Sequence, residues 1–520
     1  MNGRWLVAAG LAGLVGLTAC GGDPGVLTAS ARQSAAAPAP TTSVEPSVPT
    51  SEPDDPTATT APEDPPVTDP GRPDETPPPT VGDPLPIDDV LDLGDAKQPR
   101  PYDDFLVAAL ADIQQWWSEQ FPEIYGEPFV PLSGGVFAGY PERTDPIPGC
   151  GGESETTYDE IHEYSAFYCA DGDFMVYDDA PDGVLGDLAG EFGPSILGVV
   201  MAHEFGHAIQ SRAHVFDDAP LTITTEQQAD CFAGAWVGRA AAGEADGVSF
   251  SDAEVRSGLI AMIAVRDPLG LAQTDPGGHG LAFDRVGAFQ VGFVEGLSRC
   301  AELIDDPLPL VPNVFDLGSN PQGNAPFGYE DTEIVGIIGT DLNAYWPQEL
   351  TALGVATTLP TLTIEPVSSL DDATCDDPTG DAATGTVYCA STGQVLLDET
   401  LARELYGRFG DFVVGYMVGG AWSEAAQAAL DSPLEGEARS LANDCLTGAW
   451  VATLIPGQDG TTPRGARVEP GDLDEAIETA LVVGDDTSSA DVIGSGFEKI
   501  ASFRTGVFGG IDACTALIGG

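Results

Sequence analysis

An internal repeat constrains the fold of this chain more than any other feature. The stretch Asp230–Val237 (DCFAGAWV) resembles Asp444–Val451 (DCLTGAWV), at an offset of 214 residues (444 − 230). A repeat of this kind predicts that one structural unit occurs twice. At the same offset Phe283 matches Phe497, Phe289 matches Phe503, Gly292 matches Gly506, Gly296 matches Gly510 and Cys300 matches Cys514.

The repeat extends upstream with larger offsets. Asp112–Trp117 resembles Asp341–Trp346 at an offset of 229, and Tyr168–Ala170 resembles Tyr388–Ala390 at an offset of 220. The shrinking offset indicates that the second copy has lost loop residues. We interpret residues 99–310 and 325–520 as two copies of one domain.

The cysteines follow the repeat. The chain has nine cysteines, and eight remain when Cys20 is set aside. Eight cysteines allow 105 pairings, but four fall in each copy at matching places, so pairing within copies is the simplest scheme. An even number in an exported chain favours disulfides. We therefore predict the pairs Cys150–Cys169, Cys231–Cys300, Cys375–Cys389 and Cys445–Cys514.

The N-terminus has the pattern of an export signal. Arg4 precedes a short apolar run, which is too short to span a bilayer. The stretch Leu17-Thr18-Ala19-Cys20-Gly21 resembles a bacterial lipobox, in which the cysteine is lipidated. The alternative is an ordinary signal cut nearby. Residues 1–20 are thus expected to be a lipoprotein signal peptide and residues 21–98, rich in Pro, Thr and Asp, a disordered tether.

The charge balance limits the partners of the chain. Asp and Glu number 83 against 19 Lys and Arg, for a net charge of −64. Such a charge disfavours binding to nucleic acid or to an anionic membrane surface. We expect contact with the membrane through the N-terminal lipid alone, at the extracellular face of the cell membrane.

The first copy contains a metal-ligand motif. Met201–Gln210 reads MAHEFGHAIQ within an apolar run that predicts a buried helix. His203 and His207 lie one turn apart on one helix face, where both imidazoles can reach one zinc ion. Glu204 lies beside that face, as the general base does in H-E-x-x-H metalloproteases.

A third ligand is available downstream. Zinc in a catalytic site takes three protein ligands and leaves one position open. Thr224 or Thr225 can cap a helix, which would place Glu226 in its first turn and Asp230 one turn later. The pattern resembles thermolysin-type zincins, which implies that Glu226 binds zinc and that Asp230 holds a ligand histidine by a hydrogen bond.

The first copy resembles the bacterial family of neutral zinc metallopeptidases. The resemblance rests on Cys150-Gly151, Phe167–Cys169, Tyr177-Asp178, Ala202–His207 and Glu226–Trp236, and continues weakly to His279-Gly280, Arg285 and Cys300. It departs where the family has a Thr-His-Gly-Ser stretch followed by Gln-Arg, since Gly278, Leu281 and Asp284 stand here for the Thr, Ser and Gln. The resemblance implies a zincin-like fold and hydrolysis of peptide bonds, with Glu204 as general base.

One catalytic role stays open in the sequence. The oxyanion formed during hydrolysis needs a hydrogen-bond donor, which His279, His162 or a tyrosine could supply. His279 is favoured because it lies in the family-like His-Gly stretch. His214 follows the motif helix and is expected to be a loop residue.

The second copy lacks this chemistry. At the offset of 214, His203 matches Met417, Glu204 matches Val418, His207 matches Ala421 and Glu226 matches Ser440, while Asp444 still matches Asp230. We therefore expect one zinc ion per chain. A stabilising role for the second copy is the simplest interpretation, and a substrate groove or a partner-binding surface are alternatives.

Overall, the sequence predicts an α+β protein with two zincin-like domains in tandem, the second without a metal site. The expected function is that of an exported zinc metallopeptidase acting on peptides or proteins. The competing interpretations are a binding lipoprotein that keeps the fold without turnover and, less well supported, a zinc scavenger. The sheet is expected to include the segments around Phe174–Asp178 and Val395–Asp398.

Overall fold

The computed structural model describes residues 91–218, 220–264, 266, 278–311, 324–356, 359–370, 374–380, 382–457, 459–469, 471–483 and 496–519. Within these ranges the protein has the expected α+β composition, with small sheets among many helices. The expected signal peptide, the lipidation site Cys20 and residues 21–90 lie outside the described residues. No described helix is long and apolar enough to cross a membrane.

The N-terminal half contains six strands and eight helices among the residues that are described. The strands are β1 (Leu91–Asp92), β2 (Gly135–Gly139), β3 (Ile147–Pro148), β4 (Glu155–Thr156), β5 (Ala166–Cys169) and β6 (Phe174–Asp178). The helices are α1 (Asp103–Tyr125), α2 (Tyr158–Tyr164), α3 (Val184–Phe192), α4 (Ser195–Arg212), α5 (Thr222–Ala241), α6 (Asp252–Ala264), α7 (Ala282–Glu295) and α8 (Leu297–Glu302).

The C-terminal half repeats much of this order. Its described strands are β7 (Thr363–Val367), β8 (Pro378–Thr379), β9 (Thr386–Cys389) and β10 (Gln394–Asp398). Its described helices are α9 (Ile334–Ala352), α10 (Glu399–Arg408), α11 (Phe412–Ala429), α12 (Gly436–Ala452), α13 (Asp472–Val482) and α14 (Gly496–Gly519). Helix α14 bends at Gly510, whose positive φ matches that of Gly296 between α7 and α8.

Each half has one four-stranded sheet. The strand orders are β1-β2-β6-β5 and β7-β10-β9-β8. In both, a parallel pair (β2 with β6, β7 with β10) is followed by an antiparallel pair (β5 with β6, β9 with β10). The two segments predicted to be in the sheet are therefore confirmed as β6 and as part of β10. The fourth strand, β1 or β8, is added at opposite edges of this shared core.

The boundary that the sequence placed at residue 98 is wrong. Leu91 in β1 pairs in parallel register with Val136 in β2. Lys97 forms ion pairs with Asp103 and Asp179, and its side chain is almost completely buried. Residues 91–98 therefore belong to the folded part of the N-terminal half and not to a tether, because the sheet edge and a buried carboxylate supply partners that the composition of this segment does not reveal.

All four predicted disulfides are present. They join Cys150 to Cys169, Cys231 to Cys300, Cys375 to Cys389 and Cys445 to Cys514. Bridges of this number are typical of proteins that mature in an oxidising compartment outside the cytoplasm. The protein therefore belongs to such an environment.

Close helix packing explains the repeated glycines. A Cβ at Gly234 in α5 would lie 1.9 Å from the carbonyl oxygen of Phe289, and one at Gly292 in α7 would lie 1.8 Å from that of Cys231. Helices α5 and α7 can approach this closely only because both positions are glycine. Gly448 and Gly506 allow the same approach between α12 and α14.

The repeated tryptophans are anchored in matching ways. Trp236 Nε1 donates to Asp112 Oδ2 at 2.8 Å, and Trp450 Nε1 donates to Asp341 Oδ1 at 2.8 Å. Both indoles are completely buried. In each half this bond ties the long first helix, α1 or α9, to the helix that carries the Asp-Cys motif.

The two halves contact each other through α7 and α14. Gln290 Nε2 donates to the carbonyl oxygen of Phe497 at 2.7 Å. Arg504, which matches Gln290 at the offset of 214, donates to the carbonyl oxygen of Phe283, which matches Phe497. The same pair of matched positions is therefore in contact twice, once in each direction between the halves. This reciprocity is the pattern of an interface with two-fold symmetry.

Candidate metal centre

Helix α4 carries both motif histidines and is buried along almost its whole length. Its continuous apolar run makes it a central core helix rather than a surface helix. At Gly206 an added Cβ would lie 3.0 Å from Ala229 Cα in α5. The glycine inside the motif therefore lets α5 pack closely against α4, beside the two histidines.

This packing brings three side chains together. His203 Nε2 lies 3.2 Å from His207 Nε2. The two oxygens of Glu226 lie 3.3 Å from His203 Nε2 and 3.4 Å from His207 Nε2. The three groups that the sequence analysis selected as ligands therefore face one common point, and their donor atoms lie within 4.8 Å of one another.

An oxygen atom of a neighbouring side chain lies close to the far nitrogen of each imidazole. His203 Nδ1 lies 2.7 Å from Asp230 Oδ1. His207 Nδ1 lies 2.9 Å from Gln210 Oε1, and Gln210 Nε2 donates to the carbonyl oxygen of Thr225 at 2.6 Å. In a neutral imidazole, an Nδ1–H donated to oxygen leaves Nε2 with the lone pair that a metal ion would need.

Arg285 on α7 completes the support of His203. Its Nε and Nη2 donate to the two oxygens of Asp230 at 2.9 and 2.8 Å. Both side chains are buried, so the pair is shielded from water. Burial would raise the pKa of Asp230, but Arg285 and His203 hold it below its usual value.

The candidate ligand groups shift one another's pKa values through their charges. Burial would lower the pKa of His203, but Asp230 and Glu226 raise it to about 10. Burial would raise the pKa of Glu226, but His207 and His203, with a smaller contribution from His279, hold it well below its usual value. The centre thus favours an ionised carboxylate between its two imidazoles.

Glu204 lies at the edge of this centre. The residue is 8% exposed, so it is buried but not completely excluded from solvent. Burial would lower the pKa of His207, but Glu226 and, more weakly, Glu204 raise it. Glu204 therefore lies within electrostatic range of His207.

The other histidines fall in three different settings. His279 is within electrostatic range of Glu226. His162 Nδ1 lies 2.8 Å from Asp178 Oδ2 and 3.2 Å from the hydroxyl of Tyr158. His214 is exposed after α4 and has a positive φ, as expected of a loop residue.

The donor set fits zinc. Atoms that lie ~2.0–2.1 Å from one ion at tetrahedral angles are roughly 3.3 Å apart, and the three measured separations are 3.2, 3.3 and 3.4 Å. Two imidazoles and one carboxylate are also a ligand set typical of catalytic zinc. Glu226 Oε2 is buried without a hydrogen-bond partner, as a ligand atom directed at an ion would be.

The matching positions in the C-terminal half also lie together. Met417, Ala421 and Ser440 line one small pocket between α11 and α12. They offer no imidazole, carboxylate or thiolate, so they cannot form the ligand set of the N-terminal half. The described residues include one further group of candidate ligands, the carboxylates of Asp411, Asp472 and Glu475, which contains no histidine.

One local prediction about the site is wrong. Helix α5 begins at Thr222 after the N-cap Leu221, and neither Thr224 nor Thr225 caps it. Thr225 Oγ1 instead donates to the carbonyl oxygen of Thr222 inside the helix. The helix extends further because Ile223 is buried, so Glu226 lies in the second turn.

Two supporting residues were not assigned a role from the sequence. Gln210 lies three residues after His207 on the same helix, a spacing at which side chains meet, and this signal could have identified it. Arg285 is 55 residues from Asp230 along the chain. No local pattern connects such distant residues, so the ion pair could not be derived from spacing.

Comparisons of the chain with protein-family models, with curated proteins and with solved structures found no match.

Proposed function

We propose that this protein is an exported zinc metallopeptidase with one catalytic centre per chain. The observation that carries the proposal is the arrangement of His203, His207 and Glu226 around a common point at separations that suit tetrahedral zinc. A fourth position would be left for water or substrate, which is typical of catalytic rather than structural zinc sites.

His203, His207 and Glu226 would hold the ion. When bound, zinc would supply Lewis-acid chemistry that activates water and polarises a carbonyl group. Asp230 and Gln210 orient the two imidazoles, and Arg285 keeps the Asp230 carboxylate in place. These bonds pre-organise the centre, so that its geometry does not depend on the ion alone.

Glu204 would move the proton during hydrolysis. Its carboxylate accepts a proton from the attacking water as the oxygen of that water bonds to the scissile carbonyl carbon. The same proton is then delivered to the amide nitrogen as the C–N bond breaks, which yields a carboxylic acid and an amine, and the acid passes its remaining proton to the amine or to solvent. His279 would donate a hydrogen bond to the oxyanion, since it lies within electrostatic range of Glu226.

The fold proposal is a tandem duplication of a zincin-like domain. The paired sheets, the two disulfides with 69-residue separations and the reciprocal contacts of Gln290 and Arg504 support it. The C-terminal copy, which lacks all three ligands and the base, would neither bind zinc at the matching position nor catalyse hydrolysis.

The protein would also be anchored to the outer face of the cell membrane by a lipid. Cys20 would carry the lipid after signal cleavage, and the following Pro- and Thr-rich segment would act as a tether. The folded part would then face outward from the cell membrane, where peptides and proteins of the cell envelope would be its substrates.

The test is cleavage of a diverse peptide library by the full-length chain with its disulfides intact. The zinc-loaded wild type is compared with Glu204→Gln and with wild type treated with a chelator. Cuts that occur in the wild type and are absent from both controls would support a zinc peptidase and reveal its preference.

The competing function makes a different prediction. A binding lipoprotein would hold one zinc per chain and would cut nothing in any sample. A zinc scavenger would exchange its ion freely with solvent, which the burial of His203 and Glu226 disfavours. Retention of the base Glu204 favours the peptidase, because a purely structural zinc site does not need a general base.

A further inference from the structure

A small pocket between α11 and α12 contains a buried carboxylate with an unused oxygen. Asp444 lines this pocket and is 8% exposed. Its Oδ1 accepts a hydrogen bond from the hydroxyl of Tyr416 at 2.7 Å. Its Oδ2 is buried and has no hydrogen-bond partner among the described residues. A buried, unsatisfied oxygen of this kind costs free energy unless a donor binds to it.

A comparison with Asp230, the matching carboxylate in the N-terminal half, explains why Asp444 Oδ2 has no partner in the part of the chain that is described. There, Asp230 contacts His203 and Arg285. At the offset of 214, His203 is matched by Met417, which has no hydrogen-bond donor, and Arg285 is matched by Lys499. The Lys499 ammonium donates instead to the carbonyl oxygen of Val483 at 2.8 Å.

The second acid in the pocket is already paired. Glu424 receives bonds from Arg439 and, at 2.8 Å, from Asn443 Nδ2. Its charge is therefore compensated within the protein. Asp444 Oδ2 thus remains an acceptor without a hydrogen-bond partner among the described residues, and a ligand that completes its hydrogen bonding must bring a donor.

The size and the walls of the pocket narrow the choice of donor. Its volume of about 30 Å³ holds roughly two water-sized groups. This is enough for an ammonium nitrogen and the carbon that carries it. The apolar side chains of Met417 and Ala421 also line the pocket, and they suit a methylene group better than a hydrated metal ion.

We propose that this pocket binds a primary ammonium group, with Asp444 Oδ2 as the acceptor. An ammonium group has three N–H donors and no acceptor, so it satisfies the unused oxygen without leaving a new group unpaired. The side chain of Ser440 and the exposed backbone at Gly380 lie at the same pocket. The inference concerns binding in the C-terminal half and does not rest on peptidase activity in the N-terminal half.

The test is titration of the full-length protein with n-butylamine, followed by isothermal calorimetry or by thermal stabilisation. Binding is expected, and Asp444→Asn should weaken it about tenfold or more, because a hydrogen bond between charged groups is lost. The matched control is Asp459→Asn, which makes the same change at an exposed turn of this half and should leave binding unaltered. Butyltrimethylammonium, which has no N–H group, should bind at least about tenfold more weakly than n-butylamine.

A second variant guards against misfolding of Asp444→Asn. Gly420 lies in α11 at the pocket, and a Cβ added there meets open space. Gly420→Leu should fold and should block the amine by filling the pocket. Gly407→Leu in α10, where a Cβ also meets open space, is its control and should bind the amine normally.

Two further probes distinguish the sources of the ammonium group. Nα-acetyl-lysine methylamide presents a side-chain ammonium, and alanine methylamide presents an α-ammonium. Tighter binding of the first would assign the pocket to lysine side chains, and of the second to peptide N-termini. The proposal is overturned if n-butylamine does not bind, if it binds equally to Asp444→Asn or Gly420→Leu, or if sodium or potassium ions bind in its place.

Discussion

The two halves of the chain pack a pair of helices in the same way but place different chemistry between them. In the N-terminal half, His203 and His207 on α4 face Glu226 on α5. In the C-terminal half, the matching positions on α11 and α12 include Met417 and Ser440 and surround a small pocket. In each half the second helix of this pair, α5 or α12, is anchored to the surrounding helices by matching glycine contacts, a disulfide and a Trp–Asp bond. Packing and chemistry therefore depend on separate residues in this architecture.

The largest difference between the halves should be in catalysis. Glu204→Gln should lower kcat by about 100-fold or more, because general-base catalysis contributes 10²–10⁴-fold, and zinc content should not change. Peptide cleavage and elemental analysis measure the two effects. Glu437→Gln, at an exposed position of the C-terminal half, should leave both unchanged. Full activity in Glu204→Gln would show that Glu204 is not the base.

Removal of the long disulfides tests whether the halves are equally dependent on them. We expect replacement of Cys231 and Cys300 by alanine to lower the free energy of unfolding by about 2–5 kcal/mol. The same change at Cys445 and Cys514 should have a similar effect, because both bridges close loops of 69 residues. Urea denaturation followed by circular dichroism measures each variant. A large cost in one half and none in the other would mean that the packing is not equivalent.

The retained carboxylates should differ in their effect on zinc. Asp230→Asn should weaken zinc binding about 10–100-fold, because it disrupts the contact that orients His203. Asp444→Asn, the matching change in the other half, should leave zinc affinity unaltered. Competition with a chromophoric chelator provides the measurement. Equal losses in both variants would indicate that zinc binding depends on general stability instead of on the contact to His203.

Much of this comparison could be predicted from the sequence. The buried helix with the H-E-x-x-H stretch followed from its apolar pattern, and the four disulfides from the matching positions of the cysteines in the two halves, while Glu226 was implied by the resemblance to zincins. Strand β1 was missed, because two residues at a sheet edge acquire their structure from β2 and not from their own pattern. The contact between Arg285 and Asp230 was missed because it depends on how α7 packs on α5. Tertiary contacts of this kind leave no local periodicity.

The smallest expected effect, counted per pH unit, is in the pH dependence of stability. Burial and the neighbouring carboxylate of Asp411 raise the pKa of Glu475 to about 8, and burial with repulsion from Glu475 raises the pKa of Asp472. In the candidate metal centre the direction is opposite, since the imidazoles of His207 and His203 hold the pKa of Glu226 low. The usual pKa of an unfolded Glu is about 4.3.

The sign follows from proton binding. Between the unfolded pKa and about pH 8 the folded chain keeps a proton on Glu475 that the unfolded chain has released. Stability should therefore fall as the pH rises through this window, by at most about 1.4 kcal/mol per pH unit for one proton. Glu475→Gln should flatten this slope in urea titrations between pH 5 and 8 (roughly the window set by these values), whereas Glu437→Gln should not. An unchanged slope in Glu475→Gln would contradict this assignment.

The zinc content of the purified chain tests the central claim most directly. Elemental analysis of the full-length protein after dialysis should find one tightly bound zinc per chain, and the double variant His203→Ala, His207→Ala should hold none. Two zinc ions per chain, or one that persists in the double variant, would contradict the account, because the ion would then be held outside the centre built by α4 and α5.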